Sequence, residues 1–240
     1  MTRTVVFAGP SVYGMRAAWP SQVERRAPAG CGDILRAVRD GATCIGLVDG
    51  VFESRASVWH KEILFAITQG VRVLGAASMG ALRAAECHPF GMEGVGRIFE
   101  EYRAQLRISD ADVAVLHAPG ELDYQPVTVA LVDAEATIDV LEQAGTIGLD
   151  EAPALRRRAL NLHYKERDWL RVCAALRDSR RPPVLAEIAR LAVSRKRQDA
   201  AALLARIGTP APAVLAGPRI TRDAFSRTLH VTELEGRLDR

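Results

Sequence analysis

Arg72-Val73-Leu74-Gly75-Ala76-Ala77-Ser78-Met79-Gly80-Ala81-Leu82-Arg83-Ala84-Ala85-Glu86-Cys87 changes character once along its length, and that change decides the fold. Arg72-Val73-Leu74 has the makings of a short buried strand. The next six residues are small or turn-forming, and Ala81 to Cys87 is rich in strong helix formers up to the break at Pro89. Strand, tight turn and helix together make the repeating unit of a parallel sheet. Upstream the unit recurs. Cys44-Ile45-Gly46-Leu47-Val48 reads as a buried strand closed by Asp49-Gly50, and Val58 to Gln69 carries Trp59, Ile63, Ala66 and Ile67 at helical spacing before a Gly70 stop. Further back, Thr4-Val5-Val6-Phe7-Ala8 is a first strand ended by Gly9-Pro10-Ser11. Residues 32–40 then put Ile34, Leu35 and Val38 on one helical face, with Asp33 near the start and Gly41 as stop. This alternation predicts an α/β protein whose parallel sheet is covered on both faces.

Beyond residue 90 the strand signals fade, apart from Val113-Ala114-Val115-Leu116. Leu155, Ala159, Leu162, Trp169, Cys173 and Leu176 share one helical seam, with Arg156, Arg157 and Arg167 off it, so a core-facing basic helix is expected. Arg181-Pro182-Pro183 predicts a break before a helix from Val184. Thr209-Pro210-Ala211-Pro212 predicts another before the C-terminal segment. The expected organisation is an α/β core over 1–145 and a largely helical region over 146–240, packed on the core or extending it.

A chain of 240 residues, 48% hydrophobic and 25% charged, has the composition of a globular protein, which excludes a disordered chain and a coiled coil. The longest apolar runs fall short of the roughly 20 residues needed to cross a bilayer. Met1-Thr2-Arg3-Thr4 leads directly into the first strand without a cleavage-like site, so a soluble cytoplasmic protein with no membrane partner is expected. Cys31, Cys44, Cys87 and Cys173 are scattered without a C-x-x-C pair, as expected of reduced thiols, and they offer no zinc framework. Charge is segregated behind a net value of +3. Residues 40–150 hold 7 Lys and Arg against 17 Asp and Glu, whereas residues 151–200 hold 13 against 6. The motifs of nucleic-acid binders are missing, so the basic stretch points to an acidic protein partner or to docking on the chain's own acidic half.

The turn after Leu74 carries the best chemical signal. Ser78, held between a strand end and a helix start, would stand at the carboxyl edge of the sheet, where open α/β folds bind ligands. As a nucleophile it would have the Met79 and Gly80 backbone amides nearby for an oxyanion; as a structural residue it would cap the helix. None of His60, His88, His117, His163 and His230 is marked as its base. Lys61 is the one lysine of the α/β half and falls in the first turn of a helix, whose dipole disfavours an ammonium. Its alternative role is a solvated lysine paired with Glu62. Asp49 and Glu53, just past the second predicted strand, could orient such a lysine, bind a cation or merely shape a turn. Ser11 stands at the same sheet edge, and Cys31 sits between two glycines with no base close in sequence. Neither G-x-G-x-x-G nor G-x-x-x-x-G-K-[ST] occurs, and no cofactor or metal is expected.

Taken together, Val6-Phe7-Ala8-Gly9-Pro10-Ser11, Gly32-Asp33-Ile34-Leu35-Arg36-Ala37, Ile45-Gly46-Leu47-Val48-Asp49-Gly50-Val51-Phe52-Glu53, Val58-Trp59-His60-Lys61-Glu62-Ile63-Leu64, Gly75 to Glu86 and Phe90-Gly91-Met92-Glu93-Gly94-Val95-Gly96 resemble the TfuA-like proteins. The resemblance runs from about residue 4 to 150, with a weaker echo at Lys165-Glu166-Arg167-Asp168-Trp169. It implies a partner of YcaO-type enzymes, which activate a peptide amide oxygen with ATP so that sulfur can replace it. TfuA-like proteins are associated with releasing that sulfur from the thiocarboxylated C-terminus of a ThiS-like carrier through a Ser-Lys pair. Ser78 and Lys61 match such a pair, with Asp49, Glu53, His60 and Ser11 in support. Ala77 stands where family members often carry the first of two serines. The competing implication is a binding module that docks on the YcaO enzyme and its precursor peptide without chemistry of its own. In either case Arg156, Arg157, Lys165 and Arg167 would face the partner.

Overall fold

A computed structural model describes residues 3–16 and 19–210 of the chain. Among these, five parallel strands form one sheet: β1 (Thr4–Phe7), β2 (Val23–Arg26), β3 (Cys44–Leu47), β4 (Arg72–Ala76) and β5 (Glu93–Val95), in the order β2-β1-β3-β4-β5. The α/β class read from residues 72–87 is the one observed. Central strands β1 and β3 are buried along their whole length, as continuous apolar runs must be when both faces are covered. The two edge strands carry no such signal. Val23-Glu24-Arg25-Arg26 and Glu93-Gly94-Val95 each pair on one side only, and charged residues at an edge are tolerated because they also block further pairing.

Three helices make the crossovers: α1 (Asp33–Arg39), α2 (His60–Thr68) and α3 (Met79–Cys87). Each of these three connections steps the same way across the sheet, opposite to the β1–β2 connection, and right-handed crossovers stepping one way lay their helices on one face. Ile34, Ile63, Ala66, Ala81 and Ala84 accordingly share a core with Val5, Ile45, Leu47 and Val73. The other face, with Val6, Val48, Leu74 and Ala76, would be left bare by these three helices. It is covered from far along the chain, after α4 (Arg97–Arg103), α5 (Leu131–Gln143), α6 (Glu151–Asn161), α7 (Trp169–Cys173) and α8 (Arg181–Leu191), by α9 (Arg195–Ile207). Helix α9 sets Ala200 and Leu203 on that face. Its approach depends on Gly46 in mid-strand, where a Cβ would lie 2.9 Å from Leu203 Cδ2.

Helices α5 to α8 enclose a second core of Leu131, Ile138, Leu141, Leu155, Val172, Val184 and Ile188. The C-terminal part is thus mostly helical, but its packing begins at α5, and α9 leaves it to join the sheet. No helix among the described residues is long and apolar enough to cross a membrane.

Three local expectations are corrected. Val113 and Ala114 are buried without being in a strand: the chain makes a 3-10 turn at Asp110–Asp112 and then passes over the carboxyl edge of the sheet. The seam from Leu155 to Leu176 is two helices. Arg167, expected on a docking surface, is only 2% exposed, and its guanidinium donates to Ala159 O (2.9 Å) and Leu162 O (3.1 Å), carbonyls at the end of α6. Asp168 then caps α7 by accepting from Arg171 N at 2.7 Å. Finally, Pro182 and Pro183 lie in the first turn of α8 rather than before it, where their missing N–H groups cost nothing. Helix α9 ends before the break expected at 209–212. The segment from residue 211, with His230, lies outside the described residues.

Arg156 is ion-paired to Asp139 (2.8 Å) and Glu142 (2.7 Å) of α5, whereas Arg157 is exposed. Arg156→Glu should therefore lower stability to chemical denaturation by about 1 kcal/mol, from lost pairing and new like-charge contact. Arg157→Glu should stay within about 0.5 kcal/mol of wild type. Equal effects of the two reversals on denaturation midpoints would refute this assignment.

Candidate active site

Two glycines bring the turn after β4 against the end of β3. A Cβ at Gly80 would lie 1.7 Å from Leu47 O, and one at Gly75 would lie 2.1 Å from Gly80 O. Between them Ala77 adopts φ +66°, a left-handed conformation that a residue with a Cβ enters only under constraint. This strained elbow delivers Ser78 to the carboxyl edge, at the N-cap position of α3. Its side chain does not cap the helix. The hydroxyl instead donates to Val113 O at 3.5 Å, and Ser78 is only 2% exposed.

A second buried donor meets the same oxygen. Lys196, in the first turn of α9, donates from Nζ to Val113 O at 2.8 Å and is 3% exposed. Ser78 Oγ and Lys196 Nζ are therefore separated by no more than two hydrogen bonds end to end. Burial pushes the Lys196 ammonium towards its neutral form, and the negative charges of Asp49 and Asp133 act against that shift. Asp133 anchors the start of α9: Oδ1 accepts from Lys196 N (3.1 Å) and Oδ2 from Ser194 Oγ (3.0 Å). Burial pushes its carboxyl up, opposed by the Lys196 charge and these hydrogen bonds.

Asp49, at the end of β3, is buried and fully engaged. Its Oδ2 accepts from Gly9 N (2.8 Å) and Ser11 N (3.0 Å), and Oδ1 from Ser11 Oγ (2.6 Å). The exit turn of β1 is thereby locked to the end of β3, and the Ser11 proton is committed to Asp49. Ser11, Asp49 and Ser78 all follow strands at that edge, where Ser11 and Asp49 bond each other and Ser78 bonds Val113 O.

Other expected participants stand apart. Lys61 is exposed in the first turn of α2, and the hydroxyl of Ser78 is bonded to Val113 rather than to it. His60, also exposed, places Nε2 2.7 Å from Glu86 Oε2. Glu53 has a left-handed backbone (φ +58°) and pairs with Lys165, a contact between the acidic half and the basic segment. Hydrogen bonds from Lys165 and Tyr164 hold its carboxyl below the usual range. The two expected oxyanion amides also differ. Gly80 N–H already donates to Val48 O at 3.2 Å, while Met79 N–H has no backbone acceptor among the described residues.

Two cavities flank the cluster. The larger, about 580 Å³, is bounded by Met79, Ala111, Ala114 and Tyr164, with Arg55 and Arg83 at its walls. The smaller, about 210 Å³, is bounded by Tyr13, Val115, Asp133 and Lys196. A hydroxyl and an amine at one acceptor, with space on either side, form an arrangement suited to proton transfer and nucleophilic attack.

Sequence reasoning missed Lys196, although a usable signal was present. The chain has only three lysines among 32 basic residues, so each marks a place where arginine does not stand. Lys196 also lies in a helix first turn, the feature that singled out Lys61.

A family model described as TfuA-like protein matches residues 49–168, half of the chain. That span holds Asp49, Ser78, Val113 and Asp133, and stops short of Lys196. No curated protein matches the chain.

Proposed function

Because the chain belongs to the TfuA-like protein family, we propose that it works beside a YcaO-type enzyme as a hydrolase, releasing sulfide from the thiocarboxylated C-terminus of a ThiS-like carrier. The observation that carries this reading is the convergence of Ser78 Oγ and Lys196 Nζ on Val113 O. Neutral Lys196 takes the Ser78 proton as Oγ attacks the thiocarboxylate carbon. The Met79 amide, at the positive end of α3, donates to the oxygen that becomes negative. Collapse of the adduct breaks the C–S bond, and the Lys196 proton leaves with sulfur as hydrosulfide. Water, deprotonated by the same amine, then cleaves the Ser78 ester. Overall, thiocarboxylate and water give carboxylate and hydrogen sulfide.

Asp49 contributes by position. It joins the exits of β1 and β3 and places a negative charge near Lys196, so that the amine remains a competent proton acceptor despite burial.

The test is direct: purified protein and thiocarboxylated carrier are incubated, sulfide is quantified, and the carrier is weighed by mass spectrometry. Carrier converted to its carboxylate in step with sulfide is the expected result. If the carrier stays intact while the protein still stimulates a YcaO enzyme supplied with free sulfide, the docking-module alternative replaces this reading.

A further inference from the structure

Ser78 lines neither of the two cavities beside it. The barrier is one stretch of chain. Ala111 and Ala114 face the larger cavity, Val115 faces the smaller, and Val113 sits between them, wholly buried.

How this stretch is held is unusual for a loop. Three alternate carbonyls along it are each taken by a buried side chain from a different part of the fold. Tyr102 OH donates to Ser109 O at 2.6 Å, Arg167 Nη1 to Ala111 O at 3.4 Å, and Lys196 Nζ to Val113 O at 2.8 Å. Asp112 is tied as well, to Arg107 at 3.0 Å, and Arg107 in turn reaches Glu101 and Glu135. Beyond the strap, Leu116 N donates to Thr128 Oγ1 at 2.8 Å. The stretch is therefore a strap with discrete, polar fastenings, and two of its ties, those at Tyr102 and Asp112, involve neither Ser78 nor Lys196.

We propose that residues 109–115 are a gate over Ser78. In the closed state the Val113 carbonyl holds the one proton of the Ser78 hydroxyl and keeps Lys196 Nζ directed at itself, so that proton is presented to the carbonyl and not to the amine. Opening withdraws that carbonyl, joins the two cavities into one channel with Ser78 at the junction, and lets Lys196 accept directly from Ser78. An acyl oxygen entering from the larger cavity takes over as acceptor for Lys196, which gives the substrate a stronger interaction with the open state than with the closed one. The functional importance of the gate rests on Ser78 being the reacting group, but its physical opening is measurable without any chemistry at Ser78.

Ser78→Cys puts a thiol at the guarded position, and its alkylation by iodoacetamide can be followed by peptide mass mapping. Buried Cys87 and Cys173 serve as internal standards for global unfolding. With the strap intact, the introduced thiol should react at least about tenfold more slowly than free cysteine, because only the open fraction is attacked. Adding Tyr102→Phe or, separately, Asp112→Ala removes one fastening and should speed that reaction about fivefold, the factor expected from one lost hydrogen bond. Cys87 and Cys173 should stay unlabelled throughout. The gate is overturned if the introduced thiol reacts as fast as free cysteine, if neither strap variant changes its rate, or if its rate rises only in step with Cys87. Failure of sulfide release, with these accelerations intact, would reject the hydrolase reading and keep the gate.

Discussion

Ser78→Ala is expected to abolish sulfide release from a thiocarboxylated carrier, by about 10⁴-fold or more, while leaving the protein folded. The size follows from assigning Oγ the bond-forming step, for which alanine has no substitute. The unaltered fold follows from what the hydroxyl does in the resting structure. It makes one long contact to Val113 O and does not cap α3. A capping serine replaced by alanine would lower stability by about 1 kcal/mol and leave the rate almost unchanged. Here the opposite split is expected: little change in melting temperature and loss of turnover. Near-normal sulfide release by the folded variant would remove Ser78 from the mechanism.

The legible part of the fold was the part governed by local chemistry. Strands β1 and β3, and β4 from Val73 onward, are buried on both faces and so are built almost wholly of apolar residues. Helices α1, α2 and α3 have to show one stripe to the sheet, and the glycines that end α1 and α2 take the left-handed conformation their positions need. Less legible were places where a distant residue determines the outcome. No helix breaker stands between Leu155 and Leu176, and the division into α6 and α7 comes from the Arg167 side chain, which folds back onto carbonyls of α6. The edge strands β2 and β5 escaped because their sequences answer to solvent on one side.

The site divides along the same line. Ser11, Asp49 and Ser78 each follow a strand, so a parallel sheet gathers them at its carboxyl edge whatever the rest of the chain does. Lys196 comes from far along the sequence and reaches that edge because the three helical crossovers leave a face of the sheet for α9 to cover. Lys61 shares its local signature, a first-turn lysine, but α2 leaves it exposed to solvent. What separates the two lysines is burial, which depends on packing of elements more than a hundred residues apart.

Lys196→Arg should fail as completely as Lys196→Ala, each lowering kcat/KM by about 10³-fold or more, while Lys61→Ala keeps wild-type turnover. A guanidinium, with a pKa above about 12, retains the positive charge and a donor for Val113 O but cannot accept the Ser78 proton. Loss with arginine therefore separates a base from an ion-pair partner. The pH dependence carries the same distinction with a definite sign. Lys196 works when unprotonated, so kcat/KM rises with pH, and burial places the midpoint of that rise below the usual lysine value of about 10.4. Asp49 opposes the burial effect. Asp49→Asn removes a negative charge that favours the ammonium and should move the rising limb to still lower pH, whatever it does to the plateau. An arginine variant with most of the activity, or a rising limb that Asp49→Asn moves upward, would take the proton from Ser78 by another route and leave Lys196 as a fastening for Val113.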